Sequence, residues 1–231
     1  MASNDFLMAL EPHDAQVFTA AGREVVVDSG TDLFLPGDQI DAVYFPYSGL
    51  VSLISVLENG DQAETAVIGR EGAVGLVEAS GSGVMLYRAV VQLETTGLRI
   101  PADVYRRIWD QSGSLRRRVA KHSELTIAEA RQALACLSHH TVKKRLAWWL
   151  LECQDRTGFE ALPLTQEFLG AMISVRRTTV VEVANQLRND GLIDYRRGVI
   201  RIIDRPALER ACCECYATVA NYRHRIEGGV T

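Results

Sequence analysis

The sequence predicts an α+β protein: an N-terminal antiparallel β-roll, one long helix, and a C-terminal winged helix-turn-helix. Three observations carry this. Between residues 22 and 100, short β-type runs alternate with glycine, proline and Asn-Gly punctuation, the pattern of a roll or barrel of short strands. Residues 115–137 then run for 23 positions without glycine or proline. Residues 164–203 read as two short helices around a tight turn, followed at once by a hairpin. The expected divisions are a β-roll with an N-terminal helix over 1–112, the long helix over 113–137, the winged motif over 138–210, and a C-terminal helix or tail over 211–231.

In chain order, a lead-in helix is expected near 14–20. The strand runs are Val25-Val26-Val27, Leu33-Phe34-Leu35, Val43-Tyr44-Phe45, and residues 50–57, 65–68 and 86–93. Asn59-Gly60 between two of them is a strong hairpin signal. From Pro101 the apolar period becomes helical, with a short helix at 103–109 broken by Ser112-Gly113. In the long helix Ala120, Ile127 and Leu134 recur every seven residues, and Ser123, Ala130 and Leu137 fill the interleaved positions. This is a partial heptad seam. Part of such a helix should lie on its own β-roll, while the small Ser123 and Ala130 would let a second copy approach. A hinge is expected at 138–141. A scaffold helix at 142–154 places Leu146, Trp149, Leu150 and Cys153 at helical spacing, with Trp148 and Trp149 as packing residues. A turn follows at 155–159, and a last helix at 205–225 begins near Pro206, which suits a first helical turn.

Within 164–193, Thr165 is a good N-cap, and Gln166 and Glu167 sit in the first turn, where acceptors and negative charge suit exposed N–H groups. Phe168, Leu169, Met172 and Ile173 form an apolar face. Gly170 is small where a second helix must cross, and Ser174-Val175 makes the turn. The second helix, near 176–189, turns Val180, Val183, Ala184 and Leu187 inward. It turns Arg176, Arg177, Thr178, Thr179 and Glu182 outward, and Gly191 closes it. An ordinary helical hairpin would show the same apolar spacing. The basic hairpin that follows, turning at Gly198, points instead to a winged helix-turn-helix. In that motif the second helix offers its first residues to base edges in the DNA major groove.

The stretch LTQEFLGAMISVRRTTVVEVANQLRNDGLIDYRRGVIRI resembles the DNA-binding domain of the Crp/Fnr family of bacterial transcription regulators. The shared pattern is LTQE, a turn, an Arg, a TV pair, a helix ending in GLI, and a wing. One departure is Ser174, where the turn usually carries glycine. The resemblance is most specific at 164–203 and looser at 20–100. It implies a cyclic-nucleotide-binding-like β-roll as sensor, a long dimerisation helix, and a homodimer paired through Ala120, Ser123, Ile127, Ala130, Leu134 and Leu137. It implies double-stranded DNA, as an inverted-repeat operator, and RNA polymerase as partners. Arg177 is the leading base reader, by a bidentate contact to guanine, with Thr178 and Glu182 setting neighbouring positions. The best-known family member has Glu and then Arg at the latter two sites, so a different DNA site is expected here. Thr165, Gln166, Arg176, Thr179, Arg196 and Arg197 are candidates for phosphate contact.

The signal is harder to read. Cyclic-nucleotide members of the family hold the ribose with a Glu after Gly and the phosphate with an Arg-Ser or Arg-Thr pair. Anchored on Gly72-Ala73-Val74-Gly75, the acidic position falls on Ala73; counted back from Ile100, the Arg position falls on Met85. Cyclic AMP is therefore not expected, although Glu71 and Arg88 lie close in sequence. The iron–sulfur members use three cysteines near the N-terminus, and this chain has none before Cys136. The effector stays unassigned, and no cofactor is expected. A rival reading is a small-molecule-binding β-roll with a vestigial DNA-binding domain.

Charge distribution agrees with DNA binding. Residues 1–137 hold 11 Lys+Arg against 18 Asp+Glu, and residues 138–231 hold 14 against 11. The halves are thus −7 and +3, with the positive excess on the helix-turn-helix side. No apolar run approaches the ~20 residues of a membrane helix, and the acidic first residues lack a signal-peptide pattern. No membrane partner and a cytoplasmic location are the expectations. The five cysteines, Cys136, Cys153, Cys212, Cys213 and Cys215, do not suggest a disulfide framework. Cys212 and Cys215 are expected on one face of a single helix with Cys213 turned away. A zinc site wants four ligands and no second pair is evident, so no metal site is assigned. Incidental small residues, a thiol sensor and an intersubunit site remain the alternatives for this trio. His13 and His122 are expected as surface or packing residues. No catalytic motif is found, and the expectation is that the protein is not an enzyme.

Overall fold

The computed structural model describes residues 3–228. Residues 229–231 of the expected tail lie outside the described residues, as does the side chain of Glu167. The chain divides into two compact units, residues 1–57 with 65–126 and residues 58–64 with 127–231.

The first unit opens with α1 (Asp5–Met8) and α2 (Pro12–Ala21), then β1 (Arg23–Val27), β2 (Asp32–Phe34), β3 (Ala42–Pro46), β4 (Leu50–Val56) and β5 (Gln62–Ile68). After α3 (Leu76–Ser80) come β6 (Arg88–Leu93), β7 (Thr95–Pro101), α4 (Ala102–Gln111) and the start of α5 (Gly113–His139). Two sheets form the roll, in strand orders β1-β7-β3 and β2-β6-β4-β5. β7 pairs antiparallel with both neighbours, setting Val25 and Phe45 against Gly97 and Leu98. Gly97 is required there, because a Cβ would lie 2.5 Å from the Phe45 carbonyl oxygen. Inward positions pack Phe18 against Phe45 and Tyr105 at 5.8 and 6.1 Å between ring centroids. Leu115 and Val119 of α5 close this core, so the long helix does lie partly on its own roll.

Two elements here were not separated in the sequence. Glu94 alone breaks β6 from β7, and α3 follows a left-handed Gly75 that starts it. Neither has a turn cluster or a periodic run long enough to read.

The second unit continues with α6 (Val142–Thr157), β8 (Ala161–Pro163), α7 (Gln166–Met172), α8 (Arg177–Asn189), β9 (Ile193–Arg196) and β10 (Val199–Ile202). It ends with α9 (Arg205–Ala211) and α10 (Glu214–Glu227). The hairpin β9–β10 gains a third strand, β8, which pairs Leu162 with Ile200. Trp149 meets Phe168 edge-on at 5.5 Å, and Leu146, Leu150, Leu169, Val180 and Leu187 are fully buried around it. A partly buried ionic network ties three helices: Arg156 pairs with Glu152 and Glu129, and Arg223 pairs with the same two acids.

The single last helix expected from the sequence does not form. Two helices take its place, separated where Cys212 and Cys213 are both extended, at φ −71° and −88°. Neither glycine nor proline sits at the break. Tertiary contacts make it: Cys212 turns to the Lys144 carbonyl and Cys213 to Cys136, so the three cysteines do not share one helix. Arg205 anchors the start of α9 to Asp155 and to the Tyr216 hydroxyl.

Candidate nucleic-acid interface

The turn between α7 and α8 is built locally. The Thr165 hydroxyl accepts from the Phe168 N–H at 3.2 Å and starts α7. Ser174 adopts φ 52°, taking the left-handed conformation that glycine usually supplies at this position. The Val175 N–H then donates to the Gly170 carbonyl at 2.9 Å. Gly170 leaves no room for a side chain, since a Cβ would lie 2.8 Å from the Val175 carbonyl oxygen. The close crossing anticipated from this glycine is thus with the turn itself.

Helix α8 begins one residue later than its sequence suggests. Arg176 is its N-cap with extended backbone, so Arg177 is the first helical residue. Arg176, Arg177, Thr178 and Glu182 are exposed and Thr179 is half-buried, while Val180, Val183, Ala184 and Leu187 face the core. Thr178 and Glu182, four apart, lie on one face of α8. The Arg177 Nε–H donates to Gln166 Oε1 at 3.1 Å, bracing the guanidinium across the turn. Burial raises the Tyr195 phenol, and Arg177 and Gln166 pull it the other way.

The wing turns through Arg197 at φ 50° and Gly198 at φ 78°. Two left-handed central residues make a type I′ hairpin, whose twist matches its strands. Arg197 is thereby held at the tip. Arg196 is 82% exposed and its Nε lies 3.1 Å from Asp194, so a phosphate at Arg196 would compete with a carboxylate. Thr165, Gln166, Arg177, Arg188, Tyr195 and Arg197 line one open cleft between α7, α8 and the wing. The fold therefore brings together Arg177 with four of the six phosphate candidates around a single concave, basic surface, counting the adjacent Arg196. Arg188 and Tyr195 were not singled out in the sequence. Arg188 is the last-turn residue of α8, and only the wing's return brings it alongside.

On α5 five of the six residues expected at a seam are exposed. Ile127, Leu134 and Leu137 are 50%, 65% and 47% exposed, Ala120 and Ala130 are exposed, and Ser123 is half-buried. Ile127, Leu134 and Leu137 thus leave large apolar side chains on the exposed surface of α5.

In the roll, Ala73 and Met85 are buried in the apolar core. Arg88 is engaged by Asp32 at 2.7 Å, and Glu71 accepts from the Gly69 N–H at 3.0 Å. A gap lined by Val25, Val27, Leu33, Tyr44, Val51 and Val91 measures about 10 Å³, room for about one water. His122 lies edge-on to Phe6 at 5.8 Å, packing as expected. Burial raises the thiols of Cys136, Cys212 and Cys215, the reverse of a reactive thiolate.

Comparison with known proteins agrees with this geometry. Residues 24–112 match the cyclic nucleotide-binding domain family and residues 144–211 the Crp-like helix-turn-helix domain family. The transcriptional activator protein FnrA of Stutzerimonas stutzeri is 28% identical over 184 residues, covering 76% of this chain and 74% of the relative. The global nitrogen regulator of Synechocystis sp. is 25% identical over 213 residues, covering 85% and 94%. Among solved structures, FixK2 from Bradyrhizobium japonicum superposes with a TM-score of 0.72 at 16% identity, covering 83% of this chain and 98% of that one. A CRP/FNR-family regulator from Thermus thermophilus gives 0.66 at 24% identity, covering 82% and 97%. These structural likenesses concern the fold. The sequence relatives are transcription regulators, not enzymes, and favour DNA binding over a small-molecule module with a vestigial DNA-binding domain. Among the described residues no helix is long and apolar enough to cross a membrane. With a cyclic-nucleotide-binding-type roll, a long helix and a Crp-like helix-turn-helix in one chain, the protein is a transcription regulator that belongs to the Crp/Fnr family.

Proposed function

We propose that the protein binds an inverted-repeat operator as a homodimer, with Arg177 reading a guanine in each half-site. The observation that carries this is the placement of Arg177: it is the first residue of α8, exposed, and braced by Gln166. Engagement of Nε by Gln166 orients the two terminal nitrogens as the fork that suits guanine O6 and N7. Thr178 and Glu182 read neighbouring pairs, with the Glu182 carboxylate suited to accept from cytosine N4. Thr165, Gln166, Arg176, Thr179, Arg196 and Arg197 contact phosphates and set the register. Arg188 joins them from the far end of the cleft.

Two copies pair through Ile127, Leu134 and Leu137, with Ala120, Ser123 and Ala130 allowing close approach. The dimer acts in the cytoplasm, where a bacterial chromosome lies, and RNA polymerase is the partner through which it changes transcription. Its effector is not cyclic AMP: Ala73 and Met85 offer neither a carboxylate nor a guanidinium, and a buried ribose and phosphate would lack their partners.

Selection of bound sequences from a random DNA pool tests the dimeric reading. An inverted repeat with half-sites about 34 Å apart, one helical turn, is expected. Recovery of a lone asymmetric half-site, bound by one chain per duplex, would refute it.

A further inference from the structure

We propose that Cys136, His140, Cys213 and Cys215 form a Cys₃His site for a thiophilic divalent cation, zinc by preference. Their ligand atoms all lie within 4.8 Å of one another. The Sγ atoms of Cys136 and Cys213 are 3.5 Å apart, and Cys215 Sγ lies 3.4 Å from His140 Nδ1. A tetrahedral zinc ion with ordinary bond lengths needs about 3.8 Å between sulfurs and about 3.6 Å between sulfur and nitrogen. Small shifts would seat the ion.

The set is built by two short local patterns from distant parts of the chain. Cys136 and His140 are one turn apart at the end of α5, where the His140 N–H still donates to the Cys136 carbonyl at 2.9 Å. Cys213 is the N-cap of α10 and Cys215 lies in its first turn, the end of a helix at which negative charge is favoured. All three cysteines are buried and His140 is half-buried.

The surrounding groups are those a metal site uses. The other ring nitrogen of His140, Nε2, lies 3.3 Å from Glu214 Oε1. A carboxylate on the outer nitrogen fixes the tautomer that leaves Nδ1 to the metal. Gln132 Nε2 donates to Cys215 Sγ at 3.1 Å, an N–H···S contact that suits a thiolate. Four protein ligands close the coordination sphere, which makes the site structural and not catalytic. Each of the three thiols gives its proton to solvent as it binds, three per ion. The ion would clip the α9–α10 junction to the last turn of α5, beside the short break between α5 and α6. Cys212, which turns to the Lys144 carbonyl, takes no part.

The test uses the full-length protein purified under reducing conditions without chelators. Elemental analysis should find about one zinc per chain. After metal removal, titration with cobalt(II) should saturate at one equivalent, with sulfur-to-cobalt charge-transfer absorption and the visible bands of a tetrahedral ion. Cys136→Ser and Cys213→Ser should lose stoichiometric binding, and Glu214→Gln should weaken it about tenfold. Cys212→Ser and Cys153→Ser should bind as the parent does. The cobalt titration needs no variant, so the proposal does not depend on how the substituted chains fold. It is overturned if the parent protein carries no zinc and takes up no tetrahedral cobalt. Equal loss in Cys212→Ser and Cys213→Ser would overturn it too.

Discussion

Replacing Arg177 with alanine should abolish selectivity at one base pair per half-site. The side chain is exposed at the first position of α8, and its Nε is committed to Gln166 at 3.1 Å. Its two terminal nitrogens are the pair available for a bidentate guanine contact. Such a contact contributes ~1–3 kcal/mol of discrimination. A symmetric complex holds two of them, so the loss is ~2–6 kcal/mol, or roughly 30-fold to 10⁴-fold in Kd. Gln166→Ala removes the brace together with the phosphate contact proposed for Gln166. Loss of the brace should cost what ordering one long side chain on binding costs, ~0.5–1.5 kcal/mol per half-site, expressed at the same base pair, while loss of the phosphate contact weakens all sequences alike. Arg197→Ala, at the wing tip, should weaken all sequences alike and make the salt slope shallower by about one unit per subunit. Fluorescence-anisotropy titrations against the selected operator and its single-base variants, at several salt concentrations, separate these patterns. If Arg177→Ala weakens every duplex equally and leaves base preference intact, Arg177 is a phosphate contact and the recognition register is wrong.

Ala130→Glu places two like charges in the α5 seam and should yield monomers in sedimentation; a fully dimeric variant with parental DNA affinity would move the seam elsewhere. Calorimetry with cyclic AMP should show no binding in the micromolar range, because Met85 and Ala73 are core residues; a micromolar Kd would refute the assignment. Thr165→Ala removes the α7 cap and should cost ~1 kcal/mol, read as a fall of a few degrees in the melting of the helix-turn-helix unit. The Glu78 carboxyl is held above its ordinary 4.5 by burial, so the folded protein keeps a proton that the unfolded chain releases. Its contribution is present below 4.5 and lost as pH rises through the folded value. Glu78→Gln should therefore flatten the decline in stability of the first unit above pH 4.5, and a parallel pH profile would exclude this role.

The helix-turn-helix was legible because its signals are local. Thr165, Gly170, the inward Val180–Leu187 spacing and Gly191 each act within a turn or two of their own position, so the chain states them directly. Gly198 marked the wing for the same reason, although the paired left-handed Arg197-Gly198 turn and the third strand β8 emerge only on folding. The strand order of the roll was not readable, because β7 takes its place between β1 and β3 through hydrogen bonds to segments far upstream in the chain. Arg188 joined the cleft only when the wing folded back beside α8.

The cysteines mark the limit most clearly. Spacing along the chain put Cys212 and Cys215 on one helix and left them without a second pair of ligands. Folding breaks that helix between Cys212 and Cys213, turns Cys212 away, and brings Cys213 and Cys215 to Cys136 and His140. Those partners are 73 or more residues upstream. Sequence periodicity determines which residues share a face of one continuous helix. Which faces meet, and where a helix without glycine or proline is interrupted, is decided by the packing of distant segments, whose contacts outweigh the small local preference to continue the helix.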